Sequence, residues 1–163
     1  MLKKEIILIL DNIRSRENVG SIFRTADAVG ISKIYLCGIT PTPPHEKISK
    51  TALGAEKWVP WEYCRETWRL LKKLRADGIW LIALEQIKEG EDIFKHDFSK
   101  DKKIALVVGN EVRGISPKIL KYCDEGVSIP MFGRKESLNV SVAVGVAVYQ
   151  IRREVRSTRQ IDG

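Results

Sequence analysis

Three short apolar runs constrain this chain most: IILIL at residues 6–10, IWLIALE at 79–85 and IALVVG at 104–109. IILIL is apolar at every position rather than at every second one. That pattern marks a strand covered on both faces, as in a parallel sheet. Helices must then lie on both sides of the sheet, and the segments between the runs supply them.

Val19, Ile22, Phe23, Ala26 and Val29 recur at helical spacing. Gly30 follows, where glycine ends a helix without left-handed strain. KIYLCGI (33–39) reads as a strand and TPTPPHEK (40–47) as a proline-rich loop that continues neither element. Residues 61–78 read as one helix, with Tyr63, Thr67, Leu70, Leu71 and Leu74 on one side and Gly78 after it. Residues 86–103 are polar and irregular. Residues 110–125 hold a loop and a short helix with Pro117 near its first turn. GVSIP (126–130) is a short strand, 131–139 a loop, and 140–157 a closing helix; RSTRQIDG (156–163) is expected to fray. Strands alternating with helices call for an α/β domain with a mostly parallel sheet and helices on both faces. Its 163 residues contain no internal repeat or linker, so a single domain over 1–163 is expected.

Charge and cysteine usage narrow the function. The formal charge of +7 favours a polyanionic partner. Cys37, Cys64 and Cys123 are far apart and form no CxxC pair, which points to reduced thiols serving as small core residues in a cytoplasmic protein. The N-terminus lacks the pattern of a signal peptide. No apolar run approaches the roughly 20 residues that cross a bilayer, so no membrane partner is expected. His45 and His96 read as isolated surface residues in no metal-ligand spacing, so no metal is expected. EGED (89–92) reads as a solvated loop. The dinucleotide, phosphate-loop and nucleophile-elbow patterns are all absent.

Ligands of parallel α/β sheets bind at the carboxyl ends of strands, and three loops there carry unusual residues. In ENVGSIFRTADAVG (17–30), Asn18 is placed to cap the helix, and Gly20 allows a backbone or ligand to come close. Arg14, Arg16 and Arg24 can together face a phosphate backbone. A capped helix with solvated arginines explains these residues equally well. In VVGNEVRGIS (107–116), two glycines bracket Asn110, Glu111 and Arg113, a turn that presents backbone groups to a ligand or simply ends a strand. In IPMFGRKESLNVSVAVGVAVYQ (129–150), Ser137, Asn139 and Ser141 bunch before a very apolar helix. One of them suffices as its cap.

Taken together, the three loops resemble the SpoU/TrmH-type RNA ribose methyltransferases of the SPOUT superfamily. The matching positions are Asn18, Gly20, Arg24, Thr25, Ala26 and Gly30 in the first loop. They are Gly109, Glu111 and Gly114 in the second, and Ile129 to Met131, Gly133, Ser137 to Ser141 and Ala143 in the third. Three motifs in order across residues 5–156 are far more specific than any one alone.

This resemblance implies an α/β knot, with a C-terminal trefoil knot over roughly 104–156. It implies S-adenosylmethionine as cofactor, contacted by Leu84, Glu85, Gly109, Asn110, Glu111, Ile129, Met131, Ser137, Leu138 and Asn139. It implies a homodimer with the active site near the subunit boundary, and 2′-O-methylation of a ribose in tRNA or rRNA. The residues implied in catalysis are Asn18, Arg24, Glu111, Ser137 and Asn139. In that scheme Asn18 orients the arginine or the nucleotide, and Glu111 positions Arg24 or its basic neighbours. RNA contacts are expected from Arg14, Arg16, Arg24 and Arg113. Many relatives carry an extra RNA-binding domain; none is expected here, so RNA recognition is expected from the catalytic domain, its dimer partner or another protein. The alternative left open is an inactive RNA-binding partner on the same fold. A free guanidinium stays protonated above about pH 12. Arg24 is therefore expected to grip phosphate and stabilise the emerging oxyanion rather than to act as a base.

Overall fold

A computed structural model describes residues 4–86, 90–100 and 103–157, the side chains of 155–157 excepted. Seven strands form one parallel sheet. In chain order they are β1 (Glu5–Asp11), β2 (Lys33–Cys37), β3 (Trp61–Cys64), β4 (Trp80–Leu84), β5 (Glu91–Asp92), β6 (Lys103–Val108) and β7 (Glu125–Ser128). Across the sheet they run β3-β2-β1-β6-β4-β7-β5. The central strands are the continuous apolar runs. β1 pairs with β6 from Glu5↔Lys103 to Leu10↔Val108, and β6 pairs with β4 from Ile104↔Trp80 to Val108↔Leu84.

Both faces of those strands are buried, for the reason the runs imply. Ile6, Leu8 and Leu10 pack into a core under helices α1 (Arg16–Val29), α2 (Glu46–Ala52) and α5 (Val140–Ser157). Ile7 and Ile9 pack into a second core under α3 (Thr67–Ala76) and α4 (Pro117–Leu120). Full burial of one such side chain contributes roughly 1.5–3 kcal/mol, so alternation within a single strand stabilises both layers.

The closing helix α5 returns to the start of the chain. Arg152 donates from Nε to the Val29 carbonyl (3.1 Å), from Nη1 to Lys4 (3.0 Å) and from Nη2 to Gly30 (3.0 Å). Its fan of donors suits three carbonyls left over at a helix end and a strand start. Gly30 sits there at φ 74°, as its place after the apolar stripe implies.

Several elements differ from the sequence expectation. Residues 61–78 are not one helix: 61–64 form the edge strand β3, and α3 starts at Thr67. Tyr63 is not on a buried helical face; it is exposed, and its hydroxyl donates to the Gly38 carbonyl. Pairing with β2 outweighed an apparent helical period carried by one tyrosine. The proline-rich segment leads into α2, capped by His45, whose Nδ1 accepts from the Lys47 N–H at 3.1 Å. EKISKTA has only two buried positions, too few to show a period. Strand β7 ends at Ser128, two residues early.

The irregular stretch contains β5 and a 3-10 turn at Phe98–Lys100. His96 is not a surface residue. It is buried between Glu91 (Nδ1 at 2.6 Å) and Glu125 (Nε2 at 2.8 Å), with its ring on Phe98. Part of EGED and most of the C-terminal tail (158–163) lie outside the described residues.

Candidate functional site

Strands β4, β6 and β7 end side by side, and a cleft opens there. Its cavity volume is about 230 Å³, at the small end of small-molecule sites. Leu84, Val108, Ile129, Leu138, Val140 and Ala143 supply its apolar wall, while Glu85, Gln86, Asn110, Glu111, Ser137 and Asn139 supply polar groups.

The turn after β6 has its shape because of two glycines. A Cβ on Gly109 would lie 2.5–2.7 Å from backbone atoms of Gly114 and Ile115. A Cβ on Gly114, at φ 66°, would lie 2.3 Å from Glu85 Oε2. The two ends of the turn are thus in backbone contact, closed by the Gly114 N–H to the Asn110 carbonyl (2.9 Å). Asn110 Oδ1 accepts from the N–H groups of Val112 and Arg113, and its Nδ2 donates to the Asn12 carbonyl. Glu85 Oε2 accepts from the Ile115 N–H at 2.6 Å, tying the end of β4 to the same turn. Gln86 Nε2 donates to the Ile129 carbonyl at 2.7 Å and so joins β4 to β7.

Glu111 leaves this turn and reaches the first loop. Its carboxylate accepts from the N–H groups of Arg14 and Ser15, at 3.1 Å each, and from Asn18 Nδ2 at 3.5 Å. Desolvation pushes this carboxyl up, but the Arg14 and Ser15 N–H groups outweigh it and hold it below the usual carboxylate range. Asn18 Oδ1 in turn accepts from Asn139 Nδ2 at 3.1 Å. Glu111, Asn18 and Asn139 therefore link all three loops in one chain of hydrogen bonds.

Asn18 is not the helix cap. That role belongs to Ser15, whose Oγ accepts from the Asn18 N–H at 3.1 Å. The side chain of Asn18 is thereby released toward Glu111 and Asn139. Asn139 caps α5, its Oδ1 accepting from the Ser141 N–H (2.9 Å) and hydroxyl (2.6 Å).

The other candidate residues divide in two. Leu84, Glu85, Gly109, Asn110, Ile129, Ser137 and Leu138 line the cleft with Glu111 and Asn139; Met131 does not. Arg24 is exposed on α1, outside the cleft lining. Arg14, Arg16 and Arg113 are exposed as well. Among the described residues, none of these four guanidinium groups has a hydrogen-bond or ion-pair partner. Glu111 reaches the basic first loop through the backbone of Arg14, not through the Arg24 side chain. Gly20 permits close approach as expected, but to α2: its Cβ would lie 2.3 Å from the Ile48 carbonyl oxygen.

Sequence reasoning missed Ser15, Gln86 and Asn12, and gave no cleft role to the wall residues Val108, Val140 and Ala143, the last two of which it matched only as motif positions. The polar pair Asp11–Asn12 directly after an apolar strand was the available signal for the Asn12–Asn110 tie. Nothing local marks Gln86. Among the described residues, no group of three or more His, Cys, Asp or Glu side chains is placed to hold a metal ion. No helix among them is long and apolar enough to cross a membrane.

A parallel α/β sheet with a half-apolar, half-polar cleft at its carboxyl edge defines the class of open α/β proteins that bind small ligands there. The SpoU rRNA Methylase family pattern matches residues 5–149, and this chain belongs to that family. The chain is 35% identical over 153 residues to the tRNA (guanosine(18)-2′-O)-methyltransferase of Aquifex aeolicus, covering 93% of this chain and 71% of that protein. It is 37% identical over 149 residues to the 23S rRNA (guanosine-2′-O-)-methyltransferase RlmB of Neisseria meningitidis, covering 91% of this chain and 58% of that one. Against most of the curated relatives it matches, the chain spans about three-fifths of their length. Among solved structures, the A. aeolicus TrmH/SpoU tRNA modifying enzyme superposes with a TM-score of 0.85 at 32% identity, covering 96% of this chain and 78% of that one. The AdoMet-bound rRNA methyltransferase of Sinorhizobium meliloti gives 0.87 at 29% identity, covering 94% and 58%.

Proposed function

We propose that this protein is an RNA methyltransferase that uses S-adenosylmethionine to methylate a ribose 2′-hydroxyl in tRNA or rRNA. One observation carries the reading: the hydrogen-bonded chain Glu111–Asn18–Asn139, which couples the mouth of the cleft to the arginine-rich first loop. Relatives named as 2′-O-methyltransferases of tRNA and rRNA support the same assignment.

The cleft fits the cofactor on chemical grounds. An adenosine has a flat apolar base and a polar sugar, and the lining offers an Ile129–Leu138 wall beside Glu85, Asn110, Ser137 and backbone groups. Leu84, Glu85, Gly109, Asn110, Ile129, Ser137, Leu138 and Asn139 would hold it. When bound, it supplies an electrophilic methyl group on a sulfonium.

The chain supplies position and charge. Glu111 fixes the backbone of Arg14 and Ser15, which starts α1 and so sets where Arg16 and Arg24 emerge. Asn18 and Asn139 fix each other's amides at the junction of cofactor and ribose. Ser137 presents a hydroxyl to the same junction. Arg24 grips the target phosphate and stabilises the oxygen as its proton leaves to phosphate or solvent.

Arg24 stands outside the cleft of its own protomer, which suits a site completed across a homodimer boundary. Val142 and Tyr149 are exposed on α5, and with Val146, which packs partly on the core, they offer an apolar stripe at helical spacing for the second copy. The knotted C-terminal part (roughly 104–156), the single-domain organisation and a cytoplasmic location belong to the same proposal.

The test is methyl transfer from labelled S-adenosylmethionine to total tRNA and rRNA, with Arg24→Ala in parallel. The expected result is incorporation by the wild type, loss of about 100-fold or more with Arg24→Ala, and an unchanged cofactor affinity. Cofactor binding without transfer by the wild type would instead support an inactive RNA-binding partner. Near-normal turnover by Arg24→Ala would remove the arginine from the site.

A further inference from the structure

The tryptophan after the short turn Ala55–Lys57 is not needed by the cleft, yet it is held in place. Trp58 is 60% exposed. Its Nε1–H donates to Asp27 Oδ1 at 2.7 Å. The ring edge rests over Gly54, where a Cβ would come within 3.2–3.3 Å of Cη2 and Cζ3. An exposed indole whose polar atom is satisfied and whose edge is seated is a fixed flat surface, not a mobile side chain.

Its surroundings select the kind of partner. Asp27 lies one helical turn beyond Arg24 on α1, so Trp58 stands next to the arginine assigned to the target phosphate. Lys50 on α2 and Lys57 in the turn are exposed, as is Lys47, which lies near Glu17 at the start of α1. None of Arg24, Lys47, Lys50 and Lys57 has an ion-pair partner among the described residues. Of the nearby acids Glu56 is buried, whereas Asp27, Glu17 and Glu46 are exposed; the hydrogen bonds from Trp58 to Asp27 and from Ser15 to Glu17 occupy acceptor atoms and leave the charge in place. Four cations without ion-pair partners among the described residues thus stand with three exposed carboxylates around a planar aromatic face. Single-stranded nucleic acid is recognised by this combination, with cations along the backbone and a ring on which a base stacks. An apolar protein surface would not match the unpaired lysines.

Resting on the RNA methyltransferase reading, we propose that Trp58 is a stacking platform for an unpaired base of the RNA substrate, with Arg24, Lys50 and Lys57 taking the adjoining phosphates. Asp27 is nine residues beyond Asn18, about 13 Å along α1 at the helical rise. The stacked base is then a neighbour of the target nucleotide, and Trp58 helps decide which single-stranded context is accepted.

The experiment uses a single-stranded 12-nucleotide oligouridine and its duplex with oligoadenylate, titrated against the full chain and read by anisotropy and tryptophan fluorescence. Trp58→Ala is expected to weaken oligouridine binding about tenfold and duplex binding less than about twofold, because a paired base offers no free face. Trp58→Phe, which keeps a ring, is expected to stay within about threefold of wild type. The fluorescence quench on adding oligouridine should fall in both variants, while cofactor affinity and sedimentation coefficient stay unchanged. Unaltered oligouridine binding by Trp58→Ala overturns the proposal. So does equal weakening for duplex and single strand, or a loss that tracks a change in sedimentation, which would seat the indole against a second copy. Wild-type protein that binds oligouridine through Trp58 but transfers no methyl group to total RNA would leave the stacking site standing and overturn the enzymatic reading alone.

Discussion

The two halves of the sheet's carboxyl edge are built from the same kind of strand and end in opposite ways. At β1 and β2 the edge is sealed. Asp11 is 4% exposed and accepts from the Thr67 hydroxyl. Thr40 Oγ1 accepts from the Ile13 N–H and donates to the Cys37 carbonyl. Asn12, at φ 56°, accepts from the Ile39 N–H. Burial pushes the Asp11 carboxyl up, with Thr67 opposing it in part, and it drives the Cys37 thiol up as well. At β6, β4 and β7 the edge is open, and its polar groups bond between loops around a cleft. The difference lies in loop chemistry. Side chains fill the sealed half, whereas a glycine-on-backbone contact at 109 and 114 holds the open half apart.

That contrast can be broken most severely at the glycine contact. Gly109→Ala forces a Cβ against backbone that has no rotamer to yield. Overpacking of this kind costs typically 1–3 kcal/mol or more, or roughly 5–10 °C in a chain this long. Calorimetric titration should show S-adenosylmethionine affinity falling by more than about 100-fold, beyond what partial unfolding explains. Cofactor binding at wild-type strength would mean that the turn does not shape the cleft.

Glu111→Gln probes the tie between the open edge and the first loop. Methyl transfer should fall about 100-fold while cofactor affinity changes much less, since the loss is one of positioning. The pH arm follows from the carboxyl's lowered pKa. Its contribution is complete above its ordinary value of 4.5 and is lost as pH falls through the lowered folded-state value. Wild-type melting temperature should therefore drop more steeply than that of Glu111→Gln on acidification below about pH 4.5.

Gly20→Ala tests whether the helices beneath the first loop depend on one close approach. Alanine is the better helix former by about 1 kcal/mol, yet its Cβ would overlap Thr51 Oγ1 and the Ile48 carbonyl. Net destabilisation of about 2 kcal/mol by urea unfolding is expected. A stabilised variant would show that α1 and α2 part freely.

The smallest effect is expected on the sealed side. Asp11 has a raised folded-state pKa, so its ionisation opposes folding. That cost is absent below its ordinary 3.8 and grows as pH rises toward the raised value, above which it is constant. Asp11→Asn keeps an acceptor for Thr67. It should melt about 1–3 °C above wild type at pH 7, with the gap closing by about pH 4.

Much of this molecule is legible in its sequence. The three apolar runs specify two-sided strands, and burial of Ile6 through Leu10 on alternating faces follows directly. The cleft was legible as three strand-end loops because their residues match a family's motifs in order; only the third, with Ser137, Asn139 and Ser141, holds more polar residues than capping needs. What could not be read depends on contacts distant in sequence. The strand at 61–64 exists because β2 offers it an edge, and α2 packs because Gly20 leaves room for it. Asn18 looked like a cap because Asn before a helix usually is one; Ser15 took that role, and only the fold brings Glu111 and Asn139 within its reach. Arg24 carries no local sign of the cross-subunit role proposed for it.

The reaction proposed for this cleft is delivery of a methyl group to a ribose oxygen. The most direct measurement is incubation of the protein with isotopically labelled S-adenosylmethionine and total RNA, followed by digestion to nucleosides and mass analysis. Label is expected in 2′-O-methylnucleosides, at one or few RNA positions, and none with Arg24→Ala. Label on the bases, or RNA left unlabelled by a protein that binds the cofactor, would contradict the proposal.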